Sequence, residues 1–177
     1  MTAAERDFFQ VAWVVPDLEA AIRTWVATTG AGPFHVLPHR RPDGARYRGA
    51  PTAVDYSLAL GQAGRWQVEL IEQHDDGPSV YRDLGPGMHH LGGLTTDLDA
   101  DRAAYRALGV EAVFEGRFQG VRFAYFDTRA QLGHMVELVE HSPVVEATIA
   151  AVAQAARGWD GTDPIRSLPA PPPERSQ

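Results

Sequence analysis

The chain has no cysteine and no lysine: all sixteen basic residues among its 177 are arginine. The first absence excludes disulfides, a thiolate nucleophile and any cysteine-ligated zinc or iron–sulfur site. The second excludes a lysine Schiff base and a phosphate-binding loop with its usual lysine. Positive charge is also in the minority, 16 against 23 Asp plus Glu, for a formal balance of -7. A nucleic acid is therefore not an expected partner. No apolar run approaches the roughly 20 residues of a spanning helix, and Met1 to Phe9 lacks an apolar signal core. The expectation is a cytoplasmic protein with no membrane partner. There is no serine-hydrolase elbow, and Gly30-Ala31-Gly32 lacks the third glycine and the preceding strand of a dinucleotide site. What is present is an ordinary globular composition, 44% apolar and 22% charged.

An internal repeat organises it. Gln10-Val-Ala-Trp-Val-Val-Pro-Asp17-Leu-Glu-Ala aligns without a gap on His90-Leu-Gly-Gly-Leu-Thr-Thr-Asp97-Leu-Asp-Ala, and Trp66 to Gln73 aligns on His134 to His141. Each half reads as a strand, an Asp-capped helix and further strands ending in Val-Glu-Leu. Ala21, Ile22, Trp25 and Val26 recur at helical spacing behind Asp17, and Ala103, Ala104, Tyr105 and Leu108 behind Asp97. Later strands are expected at Ala53 to Leu60 and Val121 to Asp127. Residues 31–52, rich in Pro, Gly and Arg, read as a weak strand at Phe34 to Leu37 plus a long loop. The fold class is thus α+β: two pseudo-symmetric β-α-β-β-β units, about 8–74 and 88–141, forming a cupped mixed sheet in a domain spanning 1–141. An extension at 142–168 holds a helix capped by Ser142, which covers either the body or a second subunit of a homodimer. The Pro-rich tail at 169–177 is expected to be disordered.

The repeat also places four polar residues equivalently: Gln10 and His90 on the opening strands, Glu69 and Glu137 on the closing ones. Strand alternation puts Glu69 with Gln67 and Ile71, and Glu137 with Met135 and Val139, away from the helix-packed side. Two carboxylates in one cleft need a shared proton or a cation, and the His and Gln favour the cation. One nitrogen and three oxygens suit a single divalent ion: Zn, Co, Ni, Mn, Fe or Mg. Glu69 and Glu137 are the candidate catalytic bases, with Asp55 third because Asp55, Ser57 and Ala59 form the more polar face of their strand. Phe123 and Tyr125 are candidates for an aromatic pocket wall. His35, His39, Arg46, Tyr47 and Arg48 belong to a loop that either closes over the site or stays solvated. Alternation sets His89 on the side opposite His90, as a structural residue.

These motifs, with Gly87-Met-His-His90-Leu-Gly, make residues 8–141 similar to the vicinal oxygen chelate superfamily, which includes glyoxalase I, methylmalonyl-CoA epimerase, extradiol dioxygenases and bleomycin-resistance proteins. The order Gln10, Glu69, His90, Glu137 resembles the metal set of eukaryotic-type glyoxalase I. Gln10 replaces a histidine that an extradiol iron site would use. Val14 and Pro86 stand where glutathione-using glyoxalases place arginines, so a glutathione carboxylate finds no fork there. The resemblance implies a metal-dependent isomerase, epimerase or lyase acting beside a carbonyl of a small hydrophobic or thioester substrate. The alternatives are a metal-free binding or resistance protein of the same fold and an iron dioxygenase.

Overall fold

The computed structural model describes residues 7–168; residues 1–6 and the expected disordered tail at 169–177 lie outside the described residues. Unit one comprises β1 (Phe8–Val14), α1 (Leu18–Thr29), β2 (Phe34–Arg40), β5 (Tyr56–Ala63) and β6 (Trp66–Gln73). Two short strands, β3 (Asp43–Tyr47) and β4 (Ala50–Pro51), are inserted between β2 and β5, and α2 (Val80–Leu84) links the units. Unit two is β7 (Gly87–Thr95), α3 (Leu98–Ala107), β8 (Ala112–Phe118), β9 (Val121–Phe126), α4 (Arg129–Leu132) and β10 (Met135–Glu140), followed by α5 (Pro143–Ala155) and β11 (Ile165–Ser167).

All strands join one sheet in the order β11-β2-β5-β6-β1-β7-β10-β9-β8-β3-β4. Counted outward from the antiparallel β1–β7 pair, each unit repeats the same order, with a parallel β1–β6 or β7–β10 contact first. This is the expected α+β arrangement of two equivalent halves in a mixed sheet. The helices begin where the capping chemistry places them: Asp17 accepts from the Ala20 amide and Asp97 from the Ala100 amide, both at 2.9 Å.

The sheet is strongly curled. Between β5 and β8 lie six strand-to-strand steps, about 29 Å if the sheet were flat at ~4.8 Å per step. Yet the rings of Tyr56 and Phe118 on those strands are 6.2 Å apart. The outer face carries the helices, α1 with Leu18 and Ile22 on Val68 and Leu70, and α3 with Leu98 near Val136 and Leu138. The inner face gathers Ala12, Val14, Tyr56, Ile71, Phe114, Phe123, Tyr125 and Met135 into one cluster.

Several local expectations are corrected. Residues 31–52 are not a long loop: β2 runs to Arg40, and β3 and β4 leave unit one to extend the free edge of β8 in unit two. That pairing is tertiary and leaves only a five-residue alternation, with Ala45 and Tyr47 buried. The strand expected at Ala53 to Leu60 is β5, shifted three residues, so the hairpin turns at Gly64-Arg65. In α3 the inward positions are Leu98 and Tyr105; Leu108 is 66% exposed.

The C-terminal extension lies against the body. Helix α5 packs on β5 and β6, Val152 is fully buried, and β11 adds in parallel to β2. The Trp159 ring lies so close to Gly32 that a Cβ there would stand 2.7 Å from it. Truncation after His141 is expected to cost at least about 2 kcal/mol, the value of burying one Val side chain. Unchanged melting of the truncated protein would show that the extension contributes nothing.

Candidate metal centre

Strand register builds the site in two cross-strand rows on the inner face. Glu69 of β6 pairs with Ala12 of β1, which pairs with His90 of β7. Gln67 pairs with Gln10, Gln10 with Gly92, and Gly92 with Glu137 of β10. Ala12 and Gly92 are equivalent in the repeat, and their small size leaves a floor over which longer side chains converge. A Cβ on Gly92 would stand 2.5 Å from Gln10 Oε1, so the Gln10 amide already occupies that space. Gln10 Nε2 donates to Gln67 Oε1 at 2.7 Å, which leaves the Gln10 carbonyl oxygen on the side of Gly92.

Glu69, His90 and Glu137 meet, with one donor atom from each within 4.8 Å of the others. His90 Nε2 lies 3.2 Å from an oxygen of each carboxylate. All three side chains are buried. Burial works against a charged imidazole, but Glu137 and then Glu69 outweigh it and hold the His90 pKa up at about 9. Burial also raises the Glu69 carboxyl above its ordinary range.

His89 departs from the expected alternation. The register of β1 on β7 slips between Ala12 and Trp13, which face His90 and Met88, so His89 is an extra residue in a bulge. It stands beside His90, Nδ1 to Nδ1 at 2.9 Å, with its Nε2 3.3 Å from the Val80 carbonyl. A carbonyl only accepts, so His89 Nε2 carries a hydrogen and His89 Nδ1 accepts from His90 Nδ1. His90 Nε2 is thereby turned to the carboxylates. Burial, with His90 adjacent, lowers the His89 pKa to about 3 and keeps that ring neutral.

The cup is filled from within. Tyr81 of α2 is almost fully buried, its hydroxyl 3.1 Å from that of Tyr125, and the Tyr125 ring stands edge-on to His90 at 5.0 Å. Phe123 and Tyr125 thus line the interior as expected. Of the residues given to the supposed loop, Tyr47 joins the interior cluster and donates to Asp83 of α2, with Arg48 Nε donating to its hydroxyl at 2.8 Å, whereas His39 pairs with Asp55 outside and Arg46 bonds the Gly49 carbonyl at the surface. Sequence reasoning missed α2, whose signal was the Ser79 cap before Val80-Tyr81.

Asp55 is not brought to this site. The pairs Leu60–Glu69, Leu58–Ile71 and Tyr56–Gln73 show that the even-numbered residues of β5 face the cup, which sends Asp55, Ser57 and Ala59 to the other side. Asp55 is paired with Arg41 at 2.7 Å and His39 at 3.1 Å. Arg41, then His39, holds its carboxyl below the usual range, making it a weaker base.

The model of the glyoxalase/bleomycin resistance protein/dioxygenase superfamily matches residues 9–126. The chain belongs to this superfamily. Solved structures with the same vicinal oxygen chelate fold include methylmalonyl-CoA epimerase from Mycobacterium tuberculosis, 23% identical over 83% of this chain and 97% of that one, TM-score 0.54. A Streptomyces coelicolor methylmalonyl-CoA epimerase variant in complex with 2-nitronate-propionyl-CoA is 24% identical over 79% and 99%, TM-score 0.54. A hypothetical protein from Bacillus halodurans is 15% identical over 78% and 96%, TM-score 0.54. No curated protein matches the chain. No helix among the described residues is long and apolar enough to cross a membrane.

The superfamily is associated with divalent metals, and the donor set fits one. His90 Nε2 and Glu69 Oε2 are buried 3.2 Å apart as an ion pair, but neither meets hydrogen-bond geometry, an imperfect satisfaction that a cation between them relieves. Donors each about 2.0–2.2 Å from one ion stand roughly 3 Å apart, close to the 3.2 Å seen here.

Two outcomes are expected. Gly92→Ala should push the Gln10 amide away and weaken metal binding about tenfold or more without unfolding the protein; unaltered affinity by calorimetric titration would remove Gln10 from the ligand set. In metal-free protein the two carboxylates hold His90 at a pKa of about 9, above the ordinary 6.5 of an imidazole, so its stabilisation is full below pH 6.5 and is lost as pH rises through 9. Melting temperature should fall over that window in chelator-treated protein and much less with metal bound. A flat metal-free profile would contradict the His90 assignment.

Proposed function

We propose that the chain is a metal-dependent isomerase, epimerase or lyase that moves a proton at a carbon beside the carbonyl of a small hydrophobic or thioester substrate. Gln10, Glu69, His90 and Glu137 would hold one divalent ion of the group Zn, Co, Ni, Mn, Fe or Mg. The observation that carries this reading is the pair of buried carboxylates on either side of one buried imidazole, with donor atoms at metal-ligand spacing. A bound divalent ion there supplies Lewis acidity toward a carbonyl oxygen, which acidifies the neighbouring C–H.

The residues supply the rest. Glu69 would act as the general base after leaving the ion, when burial again favours its protonated form. Glu137 is its equivalent on the opposite side of the central β1–β7 pair. Two carboxylates so disposed can take a proton from one face of a carbon and return one to the other, the requirement of an epimerase. Tyr81 and Tyr125 are buried, which raises their pKa values and keeps both hydroxyls protonated. With one hydroxyl donating to the other, a single hydrogen of the pair would remain for an oxygen that gains negative charge. The aromatic interior suits an apolar acyl or aryl group.

The test is deuterium exchange. Metal-loaded wild type should introduce deuterium from heavy water beside the carbonyl of an enolisable ketone or thioester. Glu69→Gln or Glu137→Gln should slow this by about 10² to 10⁴ at confirmed metal content. Wild-type exchange in both variants would place the base elsewhere. A protein that never retains metal would be a binding protein, and oxygen consumption without exchange would be an oxygenase.

A further inference from the structure

A bulge aims one arginine into the cup. Leu37 of β2 pairs with Leu58, but the next pair is Arg40 with Tyr56, so Pro38 and His39 together oppose Ser57. His39 has a φ of 48°, in the left-handed region that non-glycine residues seldom occupy. The bulge is held from outside: the His39 amide donates to Ser57 Oγ at 3.1 Å, its ring packs 4.9 Å from His74, and its Nδ1 lies 3.1 Å from Asp55. Without the extra residue, alternation would set Arg40 on the helix-covered face with Val36 and turn Arg41 inward. With it, Arg40 shares the inner face with Tyr56, and Arg41 is neutralised outside by Asp55.

Arg40 is unusual among the arginines. Nine of them form ion pairs: Arg23, Arg41, Arg48, Arg82, Arg102, Arg106, Arg122, Arg129 and Arg166. Arg40 has no ion pair or hydrogen bond among the described residues, and its Nε is buried without a partner. Its guanidinium carbon lies 4.1 Å from the centroid of the Phe118 ring of unit two, itself stacked on Phe123 at 5.7 Å. A guanidinium seated on an aromatic face keeps its N–H edge free, and that edge matches the two oxygens of a carboxylate.

We propose that Arg40 is an anion-binding residue of the cup, receiving the carboxylate of a small organic acid whose apolar part lies against Phe118 and Tyr56. This rests on the inner face being the substrate-binding surface and narrows the substrate class to acids. Tyr56 lies four residues along β5 from Leu60, the partner of Glu69, about 13 Å at ~3.3 Å per residue. The carboxylate and the reacting carbon are therefore separated by several atoms.

The test uses butanoate, hexanoate, octanoate and decanoate with their uncharged amides, titrated calorimetrically into the full chain with and without bound metal. Wild type should bind at least one acid tenfold or more tighter than its amide. That preference should fall to near unity in Arg40→Gln, fall partly in Arg40→Lys, and persist in Arg41→Gln. Should Arg40→Gln fail to fold, Arg40→Lys decides alone: a reduced preference supports the assignment and an unchanged one overturns it. No acid preference in wild type, or one that survives Arg40→Gln and vanishes with the metal, also overturns it. Metal content measured on every variant reports separately on Glu69, His90 and Glu137, so loss of the metal centre is distinguishable from loss of the anion site.

Discussion

Two buried carboxylates facing one buried imidazole set the terms for the rest of this molecule. Taking such groups out of water is expensive, and it is tolerable only if each charge has a partner held in place. The rigid element that holds them is the β1–β7 pair at the centre of the sheet, with β6 and β10 in parallel on either side. Small residues at Ala12 and Gly92 make room above it, and the His89 bulge fixes which nitrogen of His90 faces the acids. Remove any one of these and the convergence becomes a set of unrelated polar residues.

The same constraint explains why so much aromatic surface lies inside. Tyr56, Tyr81, Phe114, Phe123 and Tyr125 pack around the charged group in mutual edge-on and tilted contacts. They keep water out and so strengthen every electrostatic interaction within. Their hydroxyls supply the few polar contacts that such an interior permits. Arg40 enters at the edge of this aromatic wall, where Phe118 can support its charge without cancelling it.

How much was legible in the sequence follows from which physics is local. The repeat made the two β-α-β-β-β units and the equivalence of Gln10 with His90 and Glu69 with Glu137 readable, because alternation along a strand depends only on near neighbours. Asp17, Asp97 and Ser142 were readable as caps for the same reason. The misreadings arose where distant partners or bulges decide. His89 changes face because one extra residue enters a ladder, and no local pattern marks that. Asp55 was assigned to the wrong face because the polar side of β5 was taken as the inner one, whereas its inner side carries Tyr56 and Leu58 against an aromatic interior. The pairing of β3 with β8 joins residues more than sixty positions apart, so the segment's Pro and Gly content was the only signal at hand.

Helix α2 is the tether between the two halves and also the stopper of the cup, with Tyr81 seated beside Tyr125 and Asp83 bound by Tyr47. Because the Val80 carbonyl on the same helix orients His89, and His89 in turn aligns His90, the covering of the interior and the alignment of the metal-site imidazole rest on one five-residue segment.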